Sequence, residues 1–291
     1  MTYMYLGGFM KTNKKRFIFI FIILFIALLV YIGIYNYKQH TLNQILNTDP
    51  LLIGHAMGGL DGGRYSNSLE AFEENYAKGI RVFEADLQVT SDNIMVLRHD
   101  WINDRGQEGL LKYEGYIPTY DEFMSTPLYG KFTPLSIKDV FYLMKEYDDI
   151  FIITDTKSSD PETIKRDFEL LVQTAKEARA TSCLKRIIVQ IYNDEMYDIV
   201  KNIHPFKHWI YTVYQRGTQD FEQLCQFCIE KDIKIVTMNQ NKYKAELHEI
   251  VDQYGLKLFL HTVNSKKKGK KFYKKGIDGF YTDKLTSANF Q

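Results

Sequence analysis

His55 and His99 stand on either side of a Glu-x-Asp pair, and each group closes a short aliphatic run: Leu51-Leu52-Ile53-Gly54-His55, then Glu84-Ala85-Asp86, then Ile94-Met95-Val96-Leu97-Arg98-His99. Buried strands that hand polar side chains to one edge of a sheet have this pattern. Side chains two apart on a strand point to the same face, so Glu84 and Asp86 can share one cation. Two imidazoles can take and give protons near neutral pH. The combination suits acid–base chemistry on a phosphate. Singly, each residue has a plainer reading, since a strand histidine is usually a satisfied structural residue and edge carboxylates are often solvated. Their conjunction argues otherwise, because carboxylates brought together at a buried edge repel unless a cation joins them.

Positioning these groups requires a sheet. From residue 50 onward, short apolar strands alternate with amphipathic helix patterns, a rhythm that predicts parallel strands. Candidate strands end near His55, Asp86, His99, Asp155, Tyr192, Val213, Met238, Thr262 and Thr282. Helix patterns cover residues 68–78, 136–147, 161–179, 195–203, 220–231 and 242–253. Nine strands are one too many for an eight-stranded barrel. The interval from Glu84 to His99, turning at Ser91-Asp92-Asn93, is too short for a helix, so one stretch there is expected to be a return arm. A doubly wound sheet would carry Gly-x-Gly-x-x-Gly after its first strand, and that motif is missing. The expected fold is α/β, a (β/α)8 TIM barrel, whose active residues collect at the C-terminal ends of the strands. Gln190 and His261 also close strands and are expected to line the pocket, or, for His261, to support it by a hydrogen bond. The long connection from Trp101 to Pro134 is expected to overhang that face.

The 291 residues are 45% hydrophobic and 14% aromatic, enough for a full core, and 37 basic against 36 acidic residues leave a net charge of +1. That balance gives no electrostatic case for nucleic acid. Lys11, Lys14, Lys15 and Arg16 precede an apolar stretch from Phe17 to Tyr35. Its nineteen residues approach the roughly 20 of a membrane-crossing helix, and no small-x-small cleavage site follows. The expected plan is a cytoplasmic basic tail (1–16), a transmembrane helix (17–35), a linker (36–49) and a catalytic domain (50–291) outside the cytoplasm, held by a single-pass anchor. Met10-Lys11-Thr12-Asn13-Lys14 reads like a natural start, so residues 1–9 receive no function. Cys225 and Cys228 form a CxxC, but Phe221, Leu224, Cys225 and Cys228 fall at helical spacing, which points to core packing rather than zinc or redox chemistry. The cluster Lys266, Lys267, Lys268, Lys270, Lys271, Lys274 and Lys275 reads as a solvated loop, with contact to anionic headgroups or a polyanionic polymer as the second reading.

The ordered motifs resemble the glycerophosphodiester phosphodiesterase family, whose pattern runs His-Arg-Gly, Glu-Asn-Thr, Glu-x-Asp, Thr-x-Asp-Gly, Val-x-x-His-Asp and Glu-x-Lys. Here these stand as His55-Ala56, Ser66-Asn67-Ser68, Glu84-Ala85-Asp86, Thr90-Ser91-Asp92-Asn93, Val96-Leu97-Arg98-His99-Asp100 and Asp155-Thr156-Lys157. Pro134-Leu135-Ser136-Ile137-Lys138-Asp139-Val140 resembles a later helix start, and Gly276-Ile277-Asp278-Gly279-Phe280-Tyr281-Thr282-Asp283 the end of the barrel. The resemblance spans roughly residues 50 to 285. It implies that Glu84, Asp86 and Asp155 hold a divalent cation, Mg2+ or Ca2+, with Asp155 one methylene shorter than the family's glutamate. It also implies that His55 and His99 are the acid–base pair, in an order left open, and that Lys157, on the same strand face as Asp155, brings positive charge to the phosphate. Ala56 stands where the family has an arginine that grips phosphate. Arg64 and Arg105 are the candidate replacements, Arg105 preferred, while Arg98 points away from His99's face.

The expected activity is metal-dependent hydrolysis of glycerol-linked phosphodiesters at the outer face of a membrane. A glycerophosphodiester or a lysolipid would be the substrate. Two alternatives remain: a lysophospholipase D or phospholipase C-like phosphodiesterase acting on lipids or surface polymers, and a barrel that binds a phosphorylated ligand without cleaving it.

Overall fold

The computed structural model describes residues 6–60, 64–101, 116–214 and 220–290. The chain divides into two compact units, Met1–Thr48 and Asp49–Gln291. In the first, a single helix runs from Leu6 to Leu46. It continues through residues 36–46, which the sequence reading assigned to a linker, because no glycine or proline follows Gly33 until Pro50. Its stretch from Arg16 to Leu46, whose most apolar 18-residue window has a mean hydropathy of 3.2, is long and apolar enough to cross a membrane.

The second unit is a closed barrel of eight parallel strands: Leu51–Gly54, Val82–Val89, Phe151–Asp155, Ile187–Ile191, His208–Thr212, Ile235–Asn239, Lys257–His261 and Gly279–Thr282. Each pairs in parallel with its neighbour in sequence, and the first closes the ring against both the second and the eighth. The surplus predicted strand, Met95–Leu97, runs antiparallel to the second barrel strand, so it is the expected return arm. Helices follow the strands at Leu69–Ala77, Ile137–Glu146, Pro161–Glu177, Asp194–Ile203, Phe221–Glu230, Ala245–Gln253 and Lys266–Tyr273. Their starts are written locally. Ser68, Ser136, Asp160 and Asn193 each accept a backbone N–H of the first turn, and Ser136 with Asp139 completes a reciprocal capping box.

The core lies between staves and helices and includes Phe72, Phe83, Phe141, Phe168, Leu224 and Val251. All of its buried members come from Leu52 onward, so the barrel unit closes on its own apolar surface. Cys225 and Cys228 are fully buried in it, in line with the packing role. In the long connection after Trp101, a short helix at Tyr120–Met124 carries Phe123 into a satellite cluster with Val96, Trp101 and Leu128. The lysine cluster read as a loop is the last helix, Lys266–Tyr273. Ser265 caps it, and Gly269 lets it sit closely against Leu285 and Phe290.

Candidate active site

Strand register brings the predicted groups to one end of the barrel. Gly54 of the first strand is level with Phe83 of the second and Thr282 of the eighth. One residue on, His55 reaches Asp283, whose Oδ1 lies 2.9 Å from its Nδ1. The next backbone amide, that of Ala56, donates to Glu84 Oε2 at 2.7 Å. Asp86 and Asp155 are direct partners across the second and third strands. One oxygen from each of Glu84, Asp86 and Asp155 lies within 4.8 Å of the others. The return arm delivers His99, because the amide of Arg98 donates to the Asp86 carbonyl at 3.0 Å. The ring of Tyr65 lies 4.9 Å from that of His55 and 6.1 Å from that of His99.

Burial and charge set the protonation of this cluster. Burial opposes a charge on His55, but the hydrogen bond and charge of Asp283, with Glu84 and Asp86 behind it, outweigh that and raise its pKa to about 9. Burial keeps His99 below the ordinary histidine value, although the Asp86 charge works the other way. Burial and the charge of Asp86 push Glu84 well up. Asp86 is also buried, but the Lys157 ammonium, the two imidazoles and the Asn67 amide hold its carboxyl below the usual carboxylate range. The two acids therefore differ through their neighbours: Asp86 has a cation at 2.5 Å, whereas Glu84 has a backbone amide.

Several of these partners were quoted in the motifs without a role. Asp283 bridges outward, its Oδ2 accepting from Asn264 Nδ2 at 2.6 Å while its amide donates back to Asn264 Oδ1 at 2.7 Å. This carboxylate–imidazole pair fixes which His55 nitrogen faces the site. Asn67, in the left-handed region at φ 53°, donates from Nδ2 to Asp86 Oδ2 at 2.9 Å and accepts the Asp86 amide on Oδ1. The hydroxyl of Tyr192 donates to Asp155 Oδ1 and accepts from the Lys157 amide at 3.0 Å, so it braces the shortened acid. A tyrosine one residue past the end of the fourth strand was the available signal.

Other predicted positions differ in detail. Lys157 does not continue the third strand, which ends at Asp155. It takes a left-handed backbone, φ 59°, and returns its ammonium to Asp86 and Asp155. Gln190 is buried in the barrel and accepts the Tyr281 hydroxyl at 2.9 Å. His261 packs edge-on to Tyr281, its Nε2 buried without a hydrogen bond, and burial with the nearby His55 charge lowers its pKa to about 4. Arg98 is fully buried, its Nε donating to the Asp100 carbonyl at 2.7 Å. Arg105 and the side chain of Arg64 lie outside the described residues. Ala56 is buried at φ 47° and ψ 53°, and its amide serves Glu84.

The family model for glycerophosphoryl diester phosphodiesterases matches residues 59–287. The chain belongs to this family. As a member it is a phosphoric diester hydrolase. Among solved structures, a glycerophosphodiester phosphodiesterase from Parabacteroides distasonis superposes with a TM-score of 0.64 at 19% identity, covering 84% of this chain and 95% of that one. An Oleispira antarctica phosphodiesterase, solved with the product sn-glycerol-3-phosphate, gives 0.63 at 17% identity over 81% and 93%. The Thermotoga maritima glycerophosphodiester phosphodiesterase gives 0.59 at 20% identity over 80% and 93%. At these identities the superpositions speak for the fold. No curated protein matches the chain in sequence.

The carboxylate cluster fits a divalent cation on its own geometry. Three acids converge within 4.8 Å, and the buried Oδ1 of Asp86 accepts no aligned hydrogen bond, its described neighbour being the Lys157 ammonium. At this spacing two full charges repel by about 3 kcal/mol at an effective dielectric of 20, which a shared cation would reverse. All-oxygen donors suit a hard ion.

Proposed function

We propose that this hydrolase cleaves glycerol-linked phosphodiesters with a divalent cation, Mg2+ or Ca2+, held by Glu84, Asp86 and Asp155. The observation that carries this reading is the convergence of those three oxygens beside two histidines whose pKa values are pushed in opposite directions. A bound cation would neutralise the phosphate and stabilise charge growing on its oxygens. His99, kept neutral, is placed to remove a proton from the attacking oxygen, either water or a neighbouring hydroxyl of the glycerol. His55, kept protonated and oriented by Asp283, is placed to give its proton to the departing alcohol. Lys157 adds positive charge beside the carboxylates, where Ala56 has no side chain to clamp the phosphate. Gln190 and His261 are proposed to meet the substrate. Arg105 is the proposed arginine substitute.

The product bound in the Oleispira antarctica relative supports a glycerophosphate half in the substrate. A deacylated headgroup, a lysolipid and a glycerophosphate polymer all present that half. Residues 1–16 are proposed as a cytoplasmic tail and 17–35 as the membrane span. Residues 36–49 then join the span to the barrel, residues 50–291, on the outer face. His99→Ala separates catalysis from binding. It is expected to lower turnover of glycerophosphoglycerol on the order of 10²–10⁴-fold while calorimetry shows the cation still bound. Undiminished turnover would overturn the assignment.

A further inference from the structure

The helix Lys266–Tyr273 shows lysine at every position it turns to solvent. Its inward face is Gly269, Phe272 and Tyr273, and a Cβ at Gly269 would lie 3.0 Å from Leu285 and 3.3 Å from the Phe290 ring. Lys266, Lys267, Lys268, Lys270 and Lys271 are exposed, and Lys274 and Lys275 extend the row past the helix end. No acid occurs between Asn264 and Ile277.

Lys270 and Lys271 suit the last turn of the helix and Lys275 lies over the Tyr243 ring at 5.3 Å, but the fold gains little from the rest of this charge. Lysines in a first turn oppose the helix dipole, and Lys266 with Lys270, or Lys267 with Lys271, places like charges one turn apart. The helices at Leu69–Ala77, Ile137–Glu146, Pro161–Glu177, Asp194–Ile203, Phe221–Glu230 and Ala245–Gln253 all carry an acid in the first turn instead. Among the described residues, none of the seven lysines pairs with a carboxylate. In a chain of net charge +1, the row is a local concentration rather than a sample of a basic protein.

We propose that this helix docks the barrel on an anionic lipid surface. Seven lysines and no arginine make point charges without bidentate geometry, suited to the diffuse charge of a headgroup layer. The row follows a convex helix, and its aromatics, Phe272 and Tyr273, pack inward, so it presents no stacking platform of the kind single-stranded nucleic acid uses. The same chain carries a segment long and apolar enough to cross a bilayer, which would keep such a surface within reach. The proposal stands apart from the reaction assigned to the barrel.

The test uses residues 49–291, the unit with its own closed core, in co-sedimentation with vesicles of phosphatidylcholine alone or with about one third phosphatidylglycerol. The domain should bind only the anionic vesicles and release them in roughly 0.5 M salt. The triple variant K267Q/K270Q/K271Q, with an unchanged circular dichroism spectrum, should partition about 100-fold more weakly, about fivefold per lysine. Its turnover of a soluble diester should match the parent, which keeps this result separate from the reaction. Equal partitioning of parent and variant, equal binding to neutral vesicles, or capture by soluble polyphosphate without vesicle binding would each overturn it.

Discussion

Asp283→Asn tests the pair that fixes His55. Asp283 supplies the hydrogen bond and the nearest charge that, against burial, raise the imidazole from 6.5 to about 9. A rise of that size corresponds to roughly 3 kcal/mol of folding stability, of which removal of Asp283 should abolish about 2, since Glu84 and Asp86 still favour the charged ring. The sign follows from the raised folded-state value. The contribution is complete below the unfolded pKa, near 6.5, and is lost as pH climbs through about 9. Urea unfolding of the metal-free barrel unit, followed by circular dichroism, should therefore show parent and variant further apart at about pH 6 than at about pH 9.5, by about 2 kcal/mol. An equal gap at both pH values would refute the claim that Asp283 acts through the charge on His55, and would leave it a packing role only.

Glu84→Gln should have opposite effects on stability and cation binding. Because burial and Asp86 push the Glu84 carboxyl up, the parent loses stability as pH rises through the ordinary glutamate range, and the variant should be more stable than the parent at neutral pH but not in acid. Calorimetry should show its cation affinity lost; retained affinity would exclude Glu84 as a ligand. Tyr192→Phe removes the hydroxyl that braces Asp155, and loss of a hydrogen bond to a charged group should weaken cation binding by about 1.5 kcal/mol, near tenfold. An unchanged dissociation constant would mean that Asp155 needs no brace.

Much of this site is legible in the order of residues, because a parallel barrel converts chain order into position. The first strand stops at Gly54 and the third at Asp155, while the second runs past its expected end to Val89 with Asp86 level with Asp155, so that His55, Asp86 and Asp155 meet at one rim, and the short Ser91-Asp92-Asn93 turn marks the return arm that delivers His99. What remained hidden depends on contacts between distant segments. Asp283 stands in the motif that ends the barrel, but it meets His55 across 228 positions, and nothing local pairs the two. Asn67 and Lys157 act through left-handed backbone, which a period-two reading of strands does not anticipate. The lysine helix was hidden for a different reason: its inward face contains a single glycine and two aromatics, too little apolar character to show helical periodicity.

The most direct measurement is release of sn-glycerol 3-phosphate from a glycerophosphodiester by the folded barrel unit, titrated with Mg2+ and with Ca2+ and then with a chelator. Turnover that rises with one of these ions, saturates at one cation per chain by calorimetry and disappears on chelation, or in Glu84→Gln and His99→Ala, is the expected result. A folded domain that hydrolyses the diester equally well after chelation, or fails to hydrolyse it with either ion, would contradict the shared-cation site on which the reading depends.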